Sequence, residues 1–170
     1  LALDGYPGPD VAELDDIGAW LEAHRPADFR PGLVHGDYHL ANVLVAHDRP
    51  AVAAIVDWEL ATIGDPLLDL AGLLVTWPPP AGAWRGAIGI EPWCGFPTAA
   101  ELVAHYRALT GRDLGSLRWY EVLYCFKMGI ILEGTFARAC AGQADMAVGE
   151  RLLLLARRRF AHAARRIAET

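Results

Sequence analysis

The chain predicts an α+β fold, mostly helical, with one small β-hairpin. Three observations carry that expectation. Its 170 residues are 54% hydrophobic with a mean hydropathy of +0.21, enough apolar matter for one domain with a real core and too much for a disordered chain. Most apolar residues recur at helical spacing between capping residues, glycine or proline. One stretch alone, Val43-Leu44-Val45-Ala46 and Ala51-Val52-Ala53-Ala54-Ile55-Val56 around the polar turn His47-Asp48-Arg49-Pro50, reads as paired strands.

In chain order, Leu14, Ile17 and Leu21 set a helix over 11–24, stopped ahead of Pro26. In the hairpin, pairing Ala46 with Ala51 places Asn42 opposite Ile55, two residues from Asp57; opposed residues lie roughly 5 Å apart, so Asn42 and Asp57 leave the same end together. Asp65 before Pro66 is the signature of a helix cap followed by proline in the first turn, and opens an apolar helix over 66–77 that Pro78-Pro79-Pro80 ends. Asp69 falls early in that helix among leucines, where a buried carboxylate must find donors. Residues 77–97, rich in proline, glycine and tryptophan, form a long linker that either covers a pocket, through Trp77, Trp84, Trp93 and Phe96, or simply packs. Thr98-Ala99-Ala100-Glu101 is a capping box for a helix ending near Gly111. Two long helices, 116–141 and 145–168, meet near Gly142, and Leu123, Phe126, Ile130 and Phe136 give the first an apolar stripe expected to be core.

The chemistry concentrates in His35-Gly36-Asp37-Tyr38-His39-Leu40-Ala41-Asn42 and in Asp57, fifteen residues after the asparagine. A carboxylate, a carboxamide five residues on and a second carboxylate are what phosphoryl transfer requires: one group to orient and deprotonate an acceptor hydroxyl, and hard oxygen donors to hold magnesium on nucleotide phosphates. His35 reads as a buried hydrogen-bonding hub, since the reaction already has its base. His39 is open to a solvated loop role or a contact to phosphate or metal. Glu59 is open to a salt bridge or a place behind the metal ligands.

The segment matches the H-x-D-x-x-x-x-N catalytic loop of protein kinases, with Asp57 at the place of their Asp-Phe-Gly aspartate. Gly36, the Asp57-Trp58-Glu59 triplet and Gly64-Asp65-Pro66-Leu67-Leu68-Asp69-Leu70-Ala71 resemble the aminoglycoside phosphotransferase family and its choline-kinase-like relatives, closely over residues 33–77. The resemblance implies a protein-kinase-like fold, of which this chain is the C-terminal lobe as a single domain over 1–170. It implies Asp37 as catalytic base, Asn42 and Asp57 as Mg2+ ligands, and His35 and Asp69 as supports of the loop, Asp69 by reaching back to its amides. It also implies ATP or GTP as phosphoryl donor and a small-molecule hydroxyl acceptor, aminoglycoside-, choline- or hydroxy-acid-like. Glu59 in place of the kinase glycine, with no Ala-Pro-Glu segment, speaks against activation-loop switching and peptide substrates.

A kinase-type site also needs a glycine-rich flap and a clamp lysine ahead of the loop. Neither occurs here: the one lysine is Lys127, and the 34 residues before His35 are too few for a nucleotide-binding lobe. The N-terminal lobe is therefore expected to be absent from this chain, as a further part of the same protein, and the fragment alone to be inactive. A net charge of −6 disfavours nucleic acid, and Arg157, Arg158, Arg159, Arg165 and Arg166 read as a solvated helix face. Cys94, Cys125 and Cys140 lack metal spacing and read as free thiols; with no leader and no membrane span, a cytoplasmic protein is expected. Glu91, Glu121, Glu133 and Asp145 are candidates for a cationic acceptor. Two other readings compete: a catalytically silent binding domain of the same fold, and a metal-dependent hydrolase using His35, Asp37 and His39.

Overall fold

The computed structural model describes residues 11–77 and 95–169. Along the chain run α1 (Val11–Ala23), β1 (Gly32–Val34), β2 (Val43–Val45), β3 (Val52–Ile55), β4 (Thr62–Gly64), α2 (Leu67–Thr76), α3 (Ala99–Thr110), α4 (Leu117–Cys140) and α5 (Met146–Ala168). The mostly helical α+β expectation holds, and the helices fall within a residue or two of their expected bounds. The described chain gathers into two compact units, Asp28–Leu117 and the segments on either side of it.

The flanking unit is helical. α1 buries Ile17 and Leu21, one turn apart on one face. α4 is apolar on nearly every side, and it buries Tyr120, Tyr124, Cys125 and Met128. The stripe expected to be core is corrected here: Leu123, Phe126 and Phe136 are half-buried and Ile130 is 45% exposed. A helix without a polar face gives periodicity nothing to discriminate; small residues decide instead. A Cβ at Gly129 would lie 2.2 Å from the Phe160 ring, and one at Gly149 would lie 2.7 Å from the Ala139 side chain. Glycine at these two points is what lets α4 and α5 approach. Asp145 caps α5 by accepting from the Val148 amide at 2.9 Å, and Arg118 donates to the Arg166 and Ile167 carbonyls at 2.6 and 2.8 Å, closing its other end.

The arginine face is only partly solvated. Arg157, Arg158 and Arg165 are exposed, whereas Arg166 pairs with Glu121 at 2.5 Å and Arg159 lies over the Tyr124 ring. Glu121 is thus already engaged within its own unit; burial holds its carboxyl above the ordinary range despite Arg166. Glu133 is buried and raised for the same reason, with Arg157 opposing. Burial pushes the Cys125 thiol up to about 12, and Cys125 and Cys140 are both free. Cys94, Glu91, Trp84 and Trp93 lie outside the described residues.

The central unit holds two antiparallel ribbons. β2 pairs with β3 as expected, starting from the Ala46 amide on the Ala51 carbonyl at 2.9 Å. The register then slips: a bulge between Leu44 and Val45 sets Val43, not Asn42, opposite Ile55. Asn42 instead accepts from the Val56 amide at 3.0 Å, one residue closer to Asp57 than regular pairing gives. The second ribbon, β1 with β4 (Leu33 facing Ile63), was not expected from sequence: three residues per strand, joined across 27 others, give no local pattern. Asp65 takes its capping role, accepting from the Leu67 amide at 3.0 Å. Arg112 adds an ion pair at 2.8 Å to the same carboxylate. The capping box of Thr98 and Glu101 is present in full.

Candidate active site

All the residues expected to carry chemistry lie in the central unit, and backbone geometry brings them together. β1 delivers the chain to His35, which is 2% exposed. Both ring nitrogens are committed: Nε2–H donates to the Val56 carbonyl at 2.8 Å, and Nδ1 accepts from the Asp37 amide at 3.3 Å. Those partners fix one neutral tautomer, so His35 is a hub, as its place in the sequence indicated.

Gly36 sits at φ +86° with its Cα against the next segment; a Cβ there would meet the Leu60 carbonyl oxygen at 2.3 Å. Only glycine fits the conformation and the space. Asp69, from the first turn of α2, accepts from two consecutive amides of the loop, His35 at 2.7 Å and Gly36 at 2.9 Å. Its burial problem and the loop's orphan donors solve each other.

Asp37 follows, partly exposed, with His39 Nε2 3.5 Å from its Oδ2. His39 is therefore a neighbour of the aspartate rather than a freely solvated residue, and its buried Nδ1 has no hydrogen-bond partner. A single 3-10 turn, Leu40–Asn42, closes the loop. Asn42 is 7% exposed and its Nδ2 donates to the Asp37 carbonyl at 3.0 Å. That bond sets the amide's orientation and leaves Oδ1 as the group that can meet a cation.

Asp57 enters from the end of β3. Its backbone is left-handed, φ 67° and ψ 56°, and among the described residues it is the sole non-glycine with positive φ. Backbone strain of this kind persists where the surroundings fix it, often at functional sites. Here the surroundings are the Val56 carbonyl held by His35, and Trp58, whose indole donates to the Ile55 carbonyl at 2.8 Å while its ring lies 4.7 Å from the His35 ring. Glu59 is exposed in the following 3-10 turn. Among the described residues no three His, Cys, Asp or Glu side chains form a metal cluster. The pair on offer is one carboxylate and one carboxamide, hard oxygen donors suited to magnesium that is held mainly by phosphate.

Sequence reasoning missed the Leu60 approach to Gly36, although a glycine directly before an aspartate was its visible trace. It also missed the hold of Arg112 on Asp65, 47 residues away.

The chain resembles several known proteins. The chain is 32% identical over 144 residues to acyl-CoA dehydrogenase family member 10 of Mus musculus, covering 82% of this chain and 14% of that protein. It is 32% identical over 138 residues to family member 11 of Homo sapiens, covering 78% of this chain and 18% of the relative. A solved protein of Ralstonia eutropha JMP134, provisionally assigned as an aminoglycoside phosphotransferase, superposes with a TM-score of 0.74 at 29% identity, over 94% of this chain and 51% of that one. A thermostable mutant of aminoglycoside phosphotransferase APH(4)-Ia shares the fold, with a TM-score of 0.51 at 23% identity, over 94% of this chain and 44% of that one. The chain thus spans about half of these solved proteins and under a fifth of these curated relatives. The phosphotransferase enzyme family model matches residues 2–120, loop and aspartates included, and the chain belongs to that family.

Proposed function

We propose that the chain is the catalytic lobe of an ATP-dependent phosphotransferase that moves the γ-phosphoryl group to a hydroxyl of a small molecule. The observation that carries this reading is the loop itself. Asp69 and His35 fix its backbone at three consecutive amides, His35 also ties it to the Val56 carbonyl, and Asn42 bonds the Asp37 carbonyl through its side chain and the Val56 amide through its backbone. In this reading Asp37 orients and deprotonates the acceptor hydroxyl. Asn42 Oδ1 and the Asp57 carboxylate would hold Mg2+, which when bound neutralises charge on the nucleotide phosphates. The glycine-rich flap and clamp lysine would come from another part of the protein. The APH(4)-Ia structure was solved with AMP-PNP and hygromycin B, which supports a nucleotide donor and a small-molecule acceptor for this family member.

Of the acceptor classes considered, the hydroxy-acid-like one is favoured. The curated relatives are named for acyl chemistry. Of the carboxylates in the central unit, Asp65 and Asp69 are occupied, by Arg112 and by loop amides, and do not serve a cationic acceptor. The test is magnesium-dependent transfer from ATP by the native-length gene product, across hydroxy acids, amino alcohols and amino sugars. Asp37→Asn should lower turnover about 10²–10⁴-fold, the usual worth of a positioned base, while nucleotide binding stays within about twofold. Retained turnover in that variant removes Asp37 from the role.

A further inference from the structure

Beside the catalytic loop the central unit contains a cavity of about 230 Å³. Its walls come from Leu33, Ile55, Leu70 and Leu73, with the rings of Trp58 and Tyr106. Among the described residues, His35, Tyr38, Pro66 and Asp69 complete its lining, whereas Asp37, Asn42 and Asp57 are not part of it. The cavity therefore adjoins the chemistry without containing it: Tyr38 follows Asp37 directly, and Trp58 follows Asp57 directly.

The imidazole and the carboxylate in its wall are already used. Both ring nitrogens of His35 are bonded to backbone, and each oxygen of Asp69 accepts a loop amide. A sugar or polyamine entering such a space would lose hydration and find few partners. A hydrocarbon would lose nothing of the kind. A cavity of ~150 Å³ lined by aliphatic and aromatic side chains is enough for benzene, so this one, open to solvent on the Leu33 and Trp58 side, has by volume room for a small substituted aromatic or an aliphatic group of roughly eight carbons. We propose that this cavity is a binding site for such a hydrocarbon group, supplied either by the acceptor's own chain or by a separate apolar effector. Its occupant would touch His35, Asp69 and Trp58, which brace the segments carrying the two aspartates, and Tyr38 next to Asp37.

The binding test does not depend on the proposed activity. The native-length protein, labelled with 5-fluorotryptophan, is titrated with 1-octanol, with 4-ethylphenol and with glucosamine while the Trp58 resonance, assigned through Trp58→Phe, is followed by fluorine NMR. The two eight-carbon probes should shift it saturably and glucosamine should not. Leu33→Glu, at a strand position already 62% exposed, sets a charge on the rim and should weaken octanol binding at least tenfold; Leu73→Phe, which fills the space, should abolish it. A Trp58 resonance that does not saturate, or that responds alike in wild type and Leu33→Glu, overturns the site. A second arm, which rests on the phosphotransferase reading, separates the sources. Against hydroxy acids of four to ten carbons, octanol that raises KM at constant kcat assigns the group to the acceptor; octanol that changes kcat at constant KM assigns it to an effector.

Discussion

Asp69 shows at the scale of one residue how support and chemistry are joined. Its two oxygens satisfy two adjacent amides, so Asp69→Asn, able to accept only one of them well, should destabilise by about 1–3 kcal/mol, the usual penalty of one buried orphan donor. Urea unfolding measures this, and turnover should fall with it because the backbone leading into Asp37 loses an anchor. At Gly36 the expectation is sharper: any side chain meets the Leu60 carbonyl, so Gly36→Ala should lose activity even in protein that remains folded by circular dichroism. The residues of this network could be named from the sequence because the phosphoryl transfer proposed for it restricts which side chains could serve. The reach of Asp69 to the loop amides was expected from the resemblance; the bonds of His35 to Val56 and to the Asp37 amide were not, since they run to backbone atoms that no side-chain pattern encodes. The left-handed backbone of Asp57 is invisible in sequence for the same reason.

Helix ends were readable and helix faces less so. Thr98, Asp65 and Asp145 cap where their side-chain chemistry indicates, because a cap is a local bond between near neighbours. The buried face of α4 depends on Phe160, some thirty residues on, and an all-round apolar helix does not announce it. Gly129→Ala should accordingly destabilise by roughly 1–3 kcal/mol through overpacking, with Phe160→Leu recovering part of the loss in the double variant, both read by thermal unfolding. α5 also carries His162, held down to about 4 by burial and then by Arg165, Arg159 and Arg166. The folded state keeps this ring neutral while the unfolded chain takes up its proton near pH 6.5. Stability should therefore decline as pH falls from 6.5 to 4, by on the order of 2 kcal/mol, and His162→Gln should flatten that part of the profile.

For the whole molecule, fold class followed from composition and periodicity, while the division at Ala27 and Leu117 followed from neither, since contacts between distant segments draw it. No described helix is long and apolar enough to cross a membrane. The thiols offer a global readout: Cys125, buried and pushed up to about 12, should resist a thiol reagent such as iodoacetamide in native protein and react only on unfolding, whereas half-buried Cys140 reacts first. Mass spectrometry of the labelled peptides checks the order. One consequence of the loop concerns spacing rather than strength. The His35 imidazole stands between the Asp37 amide and the Val56 carbonyl, one bonded to each of its nitrogens. A rigid ring used this way is a gauge: its width sets the separation of the two chain segments that carry Asp37 and Asp57. Shorter or flexible substitutes can satisfy one segment or the other, but they cannot keep both at that separation.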